Sequence, residues 1–229
     1  MCGRFVRKTD IREIGKIFDA AEIESDLAPS FNIAPRQPIA VIMEKGKRKL
    51  VTMQWGLIPH WSKDESIANK LINARSETLI EKPSFRNAFK KQRCLIIADG
   101  FYEWQGMGAG KKPFYIFLKD EKPFAMAGLY EIWTNPEGKA ITTCTIVTTE
   151  ANDFMKPLHH RMPVIVRPTD YDLWLNPLEI DFPKLQRIFN PIDPETMKAY
   201  EVSIQVNLVA NNSEDCIRPV GEIKISPGS

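Results

Sequence analysis

The stretch RCLIIADGFYEW, residues 93–104, opens the run of segments that decides the fold. Three similar segments follow it: KPFYIFL at 112–118, PFAMAGLYEIW at 123–133 and KAITTCTIVTT at 139–149. They are rich in β-branched and aromatic residues, which is typical of β-strands. Upstream, the apolar segments at 39–43 and 49–56 flank the polar, Gly-containing EKGKR and predict a β-hairpin. Strands predicted at 161–166 and 199–209 complete the pattern.

The predicted helices are short and lie outside this run of strands. Ile11, Ile14 and Phe18 repeat at helical spacing within residues 9–20, and Asp10 with Glu13 fits a capping box. Further helices are predicted over 84–91, 151–157, 169–175 and 182–189. Three prolines in 28–38 predict an ordered loop without regular structure, and QGMGAGKK at 105–112 predicts a flexible hairpin tip.

Strands dominate and do not alternate one for one with helices, so the rhythm of a doubly wound parallel sheet is absent. We therefore predict an α+β fold. It consists of a single domain over residues 1–229 with a largely antiparallel, β-barrel-like core and peripheral helices. A frayed C-terminal tail is expected at 222–229.

Composition and charge are ordinary for a globular protein. The 229 residues are 43% hydrophobic and 26% charged, and the net charge is only +2. Binding to nucleic acid would therefore need local clustering of cations. No apolar run approaches the about 18 residues of a membrane helix, and MCGRFVRKTD has no signal-peptide stretch. We expect a cytoplasmic protein without a membrane partner.

The cysteines are widely spaced. Cys2, Cys94, Cys144 and Cys216 form no Cys-x-x-Cys pair, which argues against a zinc site and against a disulfide framework. Cys94 and Cys144 are predicted to be small buried apolar residues on strands.

Cys2 has a chemistry that no other cysteine in the chain shares. Initiator methionine is removed when residue 2 is small, and loss of Met1 would leave a thiol and an α-amine on one residue. Such an amine condenses with an aldehyde to an imine, and the thiolate then closes a five-membered thiazolidine ring in an effectively intramolecular step. The alternative is that a cysteine at position 2 has no function.

Two internal segments carry polar side chains suited to such a reaction. In LINARSET, 71–78, Asn73 and Arg75 would share one face of a strand, where Asn can bond a polar substrate and Arg can clamp a phosphate. In ADGFYEW, 98–104, Glu103 lies among aromatic residues that can raise its pKa and suit it to acid–base catalysis. The alternative in each case is an ordinary surface residue.

The segment LHHRMPVIV, 158–166, places two of the three histidines beside Arg161 and just before a predicted strand. Histidine carries protons near pH 7. The alternative is a pair of histidines bonded within a turn. A zinc site would need further ligands and only His60 remains, so we expect no metal and no cofactor.

A set of cations and aromatic residues is the last candidate. The segment RNAFKKQR, 86–93, is rich in cations, and QWGLIPHW, 54–61, supplies Trp55 and Trp61. Cations that follow a phosphate backbone and aromatic rings that stack on bases are what single-strand binding requires. The alternative is a solvated helix face with tryptophans in the core.

Six segments, taken together and in this order, resemble the SOS-response-associated peptidase (SRAP) family. They are MCGRF, FNIAP, QWGLIPHW, LINARSET, RCLIIADGFYEW and LHHRMPV. The resemblance continues to CIRPV near the C-terminus. It implies a β-barrel-like domain with a positively charged groove for single-stranded DNA, and covalent capture of the ring-opened aldehyde of an abasic site by the N-terminal cysteine.

The resemblance also implies roles for single residues. Cys2 is the nucleophile, Asn73 holds the reacting sugar, Glu103 acts as acid and base near the imine, and His159 moves protons in ring opening and crosslink reversal. The variable position of the His-x-Arg-Met-Pro motif is His160 here, so two imidazoles compete for this role. The register of the motif favours His159, and modulation by His160 stays open. The residues expected to contact DNA are Arg4, Asn32, Trp61, Arg75 and Arg161. We add Arg86, from the basic segment 86–93, to this set.

Two other functions stay open. An N-terminal cysteine with its own amine as base fits an N-terminal-nucleophile peptidase, and removal of Met1 would then be autoproteolytic. A non-catalytic module for single-stranded DNA or a modified base would retain binding after Cys2 is blocked. We expect single-stranded DNA with abasic sites as the partner, association with the nucleoid when DNA is bound, and a monomeric protein.

Overall fold

Strands make up most of the regular structure in residues 2–106 and 110–221, the parts of the chain that the computed structural model describes. The strands in these ranges are β1 (Phe5–Arg7), β2 (Glu22–Ile23), β3 (Ser30–Ile33), β4 (Pro38–Lys45), β5 (Lys47–Trp55), β6 (Asn73–Arg75), β7 (Arg93–Ala98), β8 (Gly100–Gln105), β9 (Lys112–Leu118), β10 (Phe124–Thr134), β11 (Ala140–Glu150), β12 (Arg161–Pro163), β13 (Ile165–Val166) and β14 (Met197–Glu201). The α-helices in the same ranges are α1 (Ile11–Ile17), α2 (Arg86–Lys91), α3 (Tyr171–Leu175) and α4 (Phe182–Gln186).

A ring of hydrogen-bonded strands forms the barrel-like core. β11, β10, β7, β4 and β5 pair in that order, each antiparallel to the next. β5 then pairs in parallel with β11, with Gln54 opposite Thr143 and Trp55 opposite Cys144, and this pairing closes the ring. The predicted α+β fold with a largely antiparallel, β-barrel-like core is therefore confirmed.

The ring is buried on both faces along β7, where all six residues are buried. Alternate side chains point to opposite sides of a strand. Ile96 and Met126 accordingly lie in one apolar cluster, whereas Leu95 and Ala127 lie in another. Cys94 and Cys144 are fully buried on β7 and β11, as the sequence predicts.

A second antiparallel sheet holds the N-terminal segment. Its order is β14-β9-β8-β1-β3, and Phe5 of β1 pairs with Phe101 of β8. Cys2, Phe5 and Phe101 pack in the same buried cluster as Ile96 and Met126 of the ring. The N-terminal segment therefore lies where the two sheets meet.

Helices cover the outer apolar cluster of the ring. Ile14 of α1, Phe89 of α2, Trp174 of α3 and Leu185 of α4 all belong to that cluster, so the helices are peripheral, as predicted. In the described residues, no helix has both the length and the apolar character that crossing a membrane requires.

Three sequence-based predictions of local structure need correction. Residues 28–38 are not wholly irregular, because β3 forms within them and pairs with β1 between the flanking prolines. The helix predicted over 151–157 is wrong: these residues form turns, in which Asn152 Oδ1 accepts a hydrogen bond from the Met155 N–H at 3.0 Å. The strand predicted over 199–209 ends at Glu201 as β14, and a 3₁₀ turn follows over Ile204–Asn207.

The predicted hairpin is confirmed as β4 and β5, and the helix predicted near the N-terminus is confirmed as α1. The predicted frayed tail at 222–229 lies outside the described residues, as do residues 107–109 of the predicted hairpin tip.

Candidate active site and nucleic-acid interface

Cys2 is fully buried, and Asn73 holds its main chain. Asn73 is the first residue of β6, and its Nδ2 donates a hydrogen bond to the carbonyl oxygen of Cys2 at 2.8 Å. The other amide atom, Oδ1, is buried and accepts no hydrogen bond from the described residues. A buried acceptor without a partner calls for an explanation. Asn73 therefore fixes the candidate nucleophile and leaves one acceptor beside it.

Glu103 lies on the face of β8 that is turned towards Cys2. Side chains alternate along a strand, so Glu103 shares the side of Phe101, which packs in the cluster of Cys2. The Tyr102 N–H donates to the Arg4 carbonyl at 2.9 Å, which holds this part of β8 against the N-terminal segment.

Burial shifts the pKa values of both groups. It raises the pKa of Glu103, so the acid form persists to higher pH than for an exposed carboxyl. It also raises the pKa of the Cys2 thiol, and the charge of Glu103 adds to that rise. Cys2 is therefore a protonated thiol near neutral pH and needs a base, and Glu103 lies within electrostatic range of it.

His159 is held in one tautomer by its own turn. The Arg161 N–H donates to Nδ1 of His159 at 2.9 Å, which favours the tautomer with its proton on Nε2; the Arg161 carbonyl oxygen lies 3.2 Å from the same Nδ1. Burial lowers the pKa of His159 to about 4, and the adjacent His160, whose ring stacks on it with centroids 4.3 Å apart, adds to the decrease. His159 is thus a neutral imidazole at physiological pH.

The turn that carries His159 is tied to the Cys2 region. Met155 and Leu158 pack in the same buried cluster as Cys2, and the His159 N–H donates to the Met155 carbonyl at 2.9 Å. Gln105 Nε2, at the end of β8, donates to the Pro157 carbonyl at 3.3 Å. The strand that carries Glu103 and the turn that carries His159 therefore lie side by side.

Arg161 is buried, although the sequence predicts that it contacts DNA. Its side chain is 8% exposed and forms a bidentate ion pair with Glu77, at 2.7 Å from Nη1 to Oε1 and 3.0 Å from Nη2 to Oε2. Nη2 also donates to the Thr148 carbonyl at 2.6 Å. A phosphate contact from Arg161 stays a prediction, and this geometry gives the side chain a structural partner that the sequence analysis missed.

Asn32 also has a structural role. Its side chain is buried, and its Nδ2 lies within hydrogen-bonding distance of the carbonyls of Val206, Leu208 and Asn211. Its Oδ1 accepts from Arg4 at 2.6 Å. Asn32 therefore orients Arg4 and anchors the 206–211 segment. A direct contact with DNA would require Asn32 to become exposed.

Arg4 lies at the edge of the site. Its guanidinium donates to the Val206 carbonyl at 2.8 Å and lies over the ring of Trp104, 5.9 Å from the centroid. Trp104 in turn donates through Nε1 to Asn207 at 2.7 Å. These contacts hold a half-buried cation and an aromatic ring together next to the N-terminal segment.

The remaining predicted DNA-contacting residues are exposed. Arg75 is exposed and shares one face of β6 with the half-buried Asn73, while Ala74 between them is buried, as the spacing predicts. Arg86 is exposed at the start of α2. Trp61 is 51% exposed, whereas Trp55 is fully buried and donates to the Ile72 carbonyl at 2.9 Å. Trp55 is thus a core residue and cannot stack on a base.

The loop of Trp61 is anchored to the barrel and adjoins α2. His60 Nδ1 lies 3.1 Å from Oε2 of the buried Glu131, and Trp133 donates to the Ser62 carbonyl at 2.7 Å. A pocket of about 280 Å³ separates this loop from α2 and is lined by His60, Asn87, Lys90, Lys91, Gln92 and Glu131. The fold therefore places His60, the residue before the predicted stacking residue Trp61, across this pocket from the basic helix.

Comparisons with known proteins agree with the resemblance. The family model described as SOS response associated peptidase (SRAP) matches residues 1–209. The abasic site processing protein YoqW of Bacillus subtilis (strain 168) is 46% identical in an alignment of 221 positions that covers 95% of this chain and 99% of that protein. The abasic site processing protein HMCES of Gallus gallus is 30% identical in an alignment of 230 positions that covers 86% of this chain and 68% of that protein.

Solved structures share the fold. A crystal structure of a protein from Bacteroides thetaiotaomicron matches with a TM-score of 0.83 and 29% identity, over 89% of this chain and 93% of that one. A second, from Bordetella bronchiseptica, matches with a TM-score of 0.76 and 28% identity, over 89% of this chain and all of that one. The family model covers most of the chain and the relatives cover nearly all of it, so this chain belongs to the SOS response associated peptidase (SRAP) family.

Proposed function

We propose that this protein senses and shields abasic sites in single-stranded DNA by bonding to them covalently through Cys2. The observation that carries the proposal is the arrangement around Asn73. One side of its amide holds Cys2, and the other side offers a buried acceptor to a hydroxyl of the substrate. The names of the relatives, abasic site processing proteins, support the same substrate.

The reaction requires that Met1 be removed, because the nitrogen of Cys2 is otherwise part of a peptide bond. The free amine adds to the aldehyde carbon of the ring-opened sugar, and loss of one water gives an imine. Sγ then bonds to the same carbon, the π electron pair of the C=N bond returns to nitrogen, and the thiol proton is transferred to that nitrogen. The balance is one aldehyde and one aminothiol giving one thiazolidine and one water.

Glu103 and His159 suit the proton transfers of this sequence. Glu103 has a raised pKa, so its acid form can protonate the departing hydroxyl, and the resulting carboxylate can take the proton from the Cys2 thiol. His159, neutral with its proton on Nε2, can donate a hydrogen bond to a sugar oxygen during ring opening. Each group thus acts in the protonation state that its surroundings favour.

Single-stranded DNA is the proposed partner. Arg4, Arg75 and Arg86 are at least partly exposed and would contact phosphates, and Trp61 would stack beside the lesion. If several phosphates are contacted, the affinity will fall steeply with salt concentration.

The test compares two oligonucleotides that differ only in the aldehyde. One carries an abasic site and the other a tetrahydrofuran analogue, which cannot open to an aldehyde. We expect a band that survives denaturation with the first and non-covalent binding alone with the second. Covalent bonding to both, or to neither, would refute aldehyde capture.

A second activity, removal of Met1 by the protein itself, is favoured by the word peptidase in the family description and by the acid–base residue near Cys2. Synthesis in an extract without methionine aminopeptidase isolates it. Loss of Met1 from the wild-type chain but not from Glu103→Gln would support self-processing. Retention of Met1 in both would exclude it.

A further inference from the structure

The ion pair between Glu77 and Arg161 joins two parts of the candidate site. Arg161 starts β12, and Glu77 lies in the 3₁₀ turn Ser76–Thr78 that directly follows β6. Both oxygens of the carboxylate bond the guanidinium, which is the strongest geometry for such a pair. Although burial alone would raise the pKa of Glu77, its bonds to Arg161, to its own main chain and to Ser76 together outweigh that effect and hold the pKa below its ordinary value. Glu77 is therefore a carboxylate at neutral pH.

Arg161 connects this ion pair to His159. The guanidinium is bonded by Glu77 and by the Thr148 carbonyl of β11, and the main-chain N–H of the same residue donates to His159 Nδ1 at 2.9 Å. That hydrogen bond favours the Nε2–H tautomer of His159. Immobilising the side chain of Arg161 therefore also restrains the peptide group that orients the imidazole.

The other end of the connection is Cys2. Asn73 is the first residue of β6, and Glu77 lies in the turn that follows this strand. Asn73 holds the carbonyl of Cys2. A continuous set of contacts therefore runs from Cys2 through Asn73, β6, Glu77 and Arg161 to His159. The segment that positions the nucleophile also positions the imidazole.

We propose that Glu77 is a positioning residue that fixes His159 relative to Cys2 by holding Arg161. The proposal rests on the proposed function for its effect on the reaction, but its effect on the histidine ring does not depend on DNA. The positive charge of Arg161 by itself lowers the pKa of His159, and the carboxylate of Glu77 balances that charge.

The ¹⁵N signals of the His159 ring nitrogens report the tautomer of the ring. These signals would not change if Glu77 only stabilised the fold. We would record them without DNA in the wild type, Glu77→Gln and Glu77→Ala, with Glu81→Ala as a matched control. Glu81 is an exposed carboxylate in the same segment, so its removal changes the net charge equally. We expect the Nε2–H form in the wild type and the control, and a mixture of tautomers in Glu77→Ala.

The rate of covalent capture at saturating abasic DNA is the second readout. We expect Glu77→Ala to be at least tenfold slower than wild type, Glu77→Gln to recover part of the rate because its amide retains one acceptor, and Glu81→Ala to match wild type. If Glu77→Ala does not fold, Glu77→Gln carries the comparison, with an altered tautomer population and a slower rate.

Two results overturn the proposal. One is unchanged ring signals in the folded Glu77 variants, whatever their rates. The other is a wild-type rate of capture in those variants despite altered ring signals. If the wild type itself captures no DNA, the proposed function fails, and the ring signals alone decide whether Glu77 positions His159.

Discussion

Replacing Asn73 with Ala should slow covalent capture of abasic DNA by about 5- to 150-fold. Asn73 Nδ2 donates to the carbonyl of Cys2 at 2.8 Å, and Cys2 is fully buried. Leaving that carbonyl without its donor costs about 1–3 kcal/mol. A factor of ten in rate corresponds to about 1.4 kcal/mol of activation free energy. The stated range follows if the whole cost raises the activation barrier because Cys2 is no longer held in place.

The assay is the initial rate of formation of the denaturation-resistant band at saturating DNA. Asn69→Ala is the matched control, because Asn69 is exposed in the preceding 3₁₀ turn and should not affect the rate. Asn73→Asp separates the two atoms of the amide, since it keeps an acceptor but places an oxygen against the Cys2 carbonyl. A rate for Asn73→Ala within twofold of wild type, in folded protein, would refute the reasoning.

The remaining predictions concern pH, DNA stacking and packing. His159 has a pKa of about 4 in the folded chain, below the usual 6.5, so it protonates more readily when unfolded. Wild type should therefore lose more stability than His159→Asn as the pH falls from about 6.5 to 4, measured by urea unfolding; parallel losses would count against a buried neutral ring. Trp61→Ala should weaken single-strand binding by about 1–3 kcal/mol in fluorescence anisotropy, with little effect on folding. The control Leu178→Ala, at a residue that is 84% exposed, should bind as wild type does. Equal affinities of Trp61→Ala and wild type would exclude stacking by Trp61. Gly100→Ala would place Cβ 2.5 Å from Tyr115 Cε2 and 2.6 Å from the Ile116 carbonyl oxygen, and it should lower the free energy of unfolding in urea by about 1–3 kcal/mol. A Cβ at Gly110 meets nothing within 4 Å, so the control Gly110→Ala should leave stability unchanged. Equal stabilities of the two variants would contradict the close packing of β8 on β9.

The strands could be predicted because their signal is local. Segments such as RCLIIA and TTCTIV are dense in apolar and β-branched residues, and they form β7 and β11 in the barrel. The parallel pairing of β5 with β11 could not be read from the sequence, because it joins residues nearly ninety positions apart. The closure of the ring can therefore be recognised only in the structure.

Where local predictions were wrong, tertiary contacts decided the outcome. Prolines in 28–38 suggested an irregular loop, but β1 offered a pairing partner to Ser30–Ile33, which lies between them. In 151–157, the side chain of Asn152 bonds the main chain and forms a turn instead of a helix. Neither a partner strand nor a side-chain bond of this kind has a periodic signature.

The candidate site was predictable as a set of residue types but not as a set of partners. Asn73 and Arg75 share the face that their spacing predicts, and the structure adds that Asn73 reaches Cys2. Glu77 lies in the same motif and was overlooked, because an exposed acidic residue carries no sign of the buried cation it holds. The signal that could have found it was the unmatched positive charge of Arg161 at the first position of a strand that was predicted to be buried.

The central claim is that Cys2 bonds an abasic site as a thiazolidine, and intact mass of the complex tests it most directly. Protein confirmed to lack Met1 is incubated with a single-stranded oligonucleotide carrying one abasic site, beside Cys2→Ala, and both are analysed under denaturing conditions. The account predicts a species whose mass is the sum of protein and oligonucleotide less one water, formed by the wild type and absent from the Cys2→Ala sample. No such species from correctly processed wild type, or an equal amount from Cys2→Ala, would contradict it.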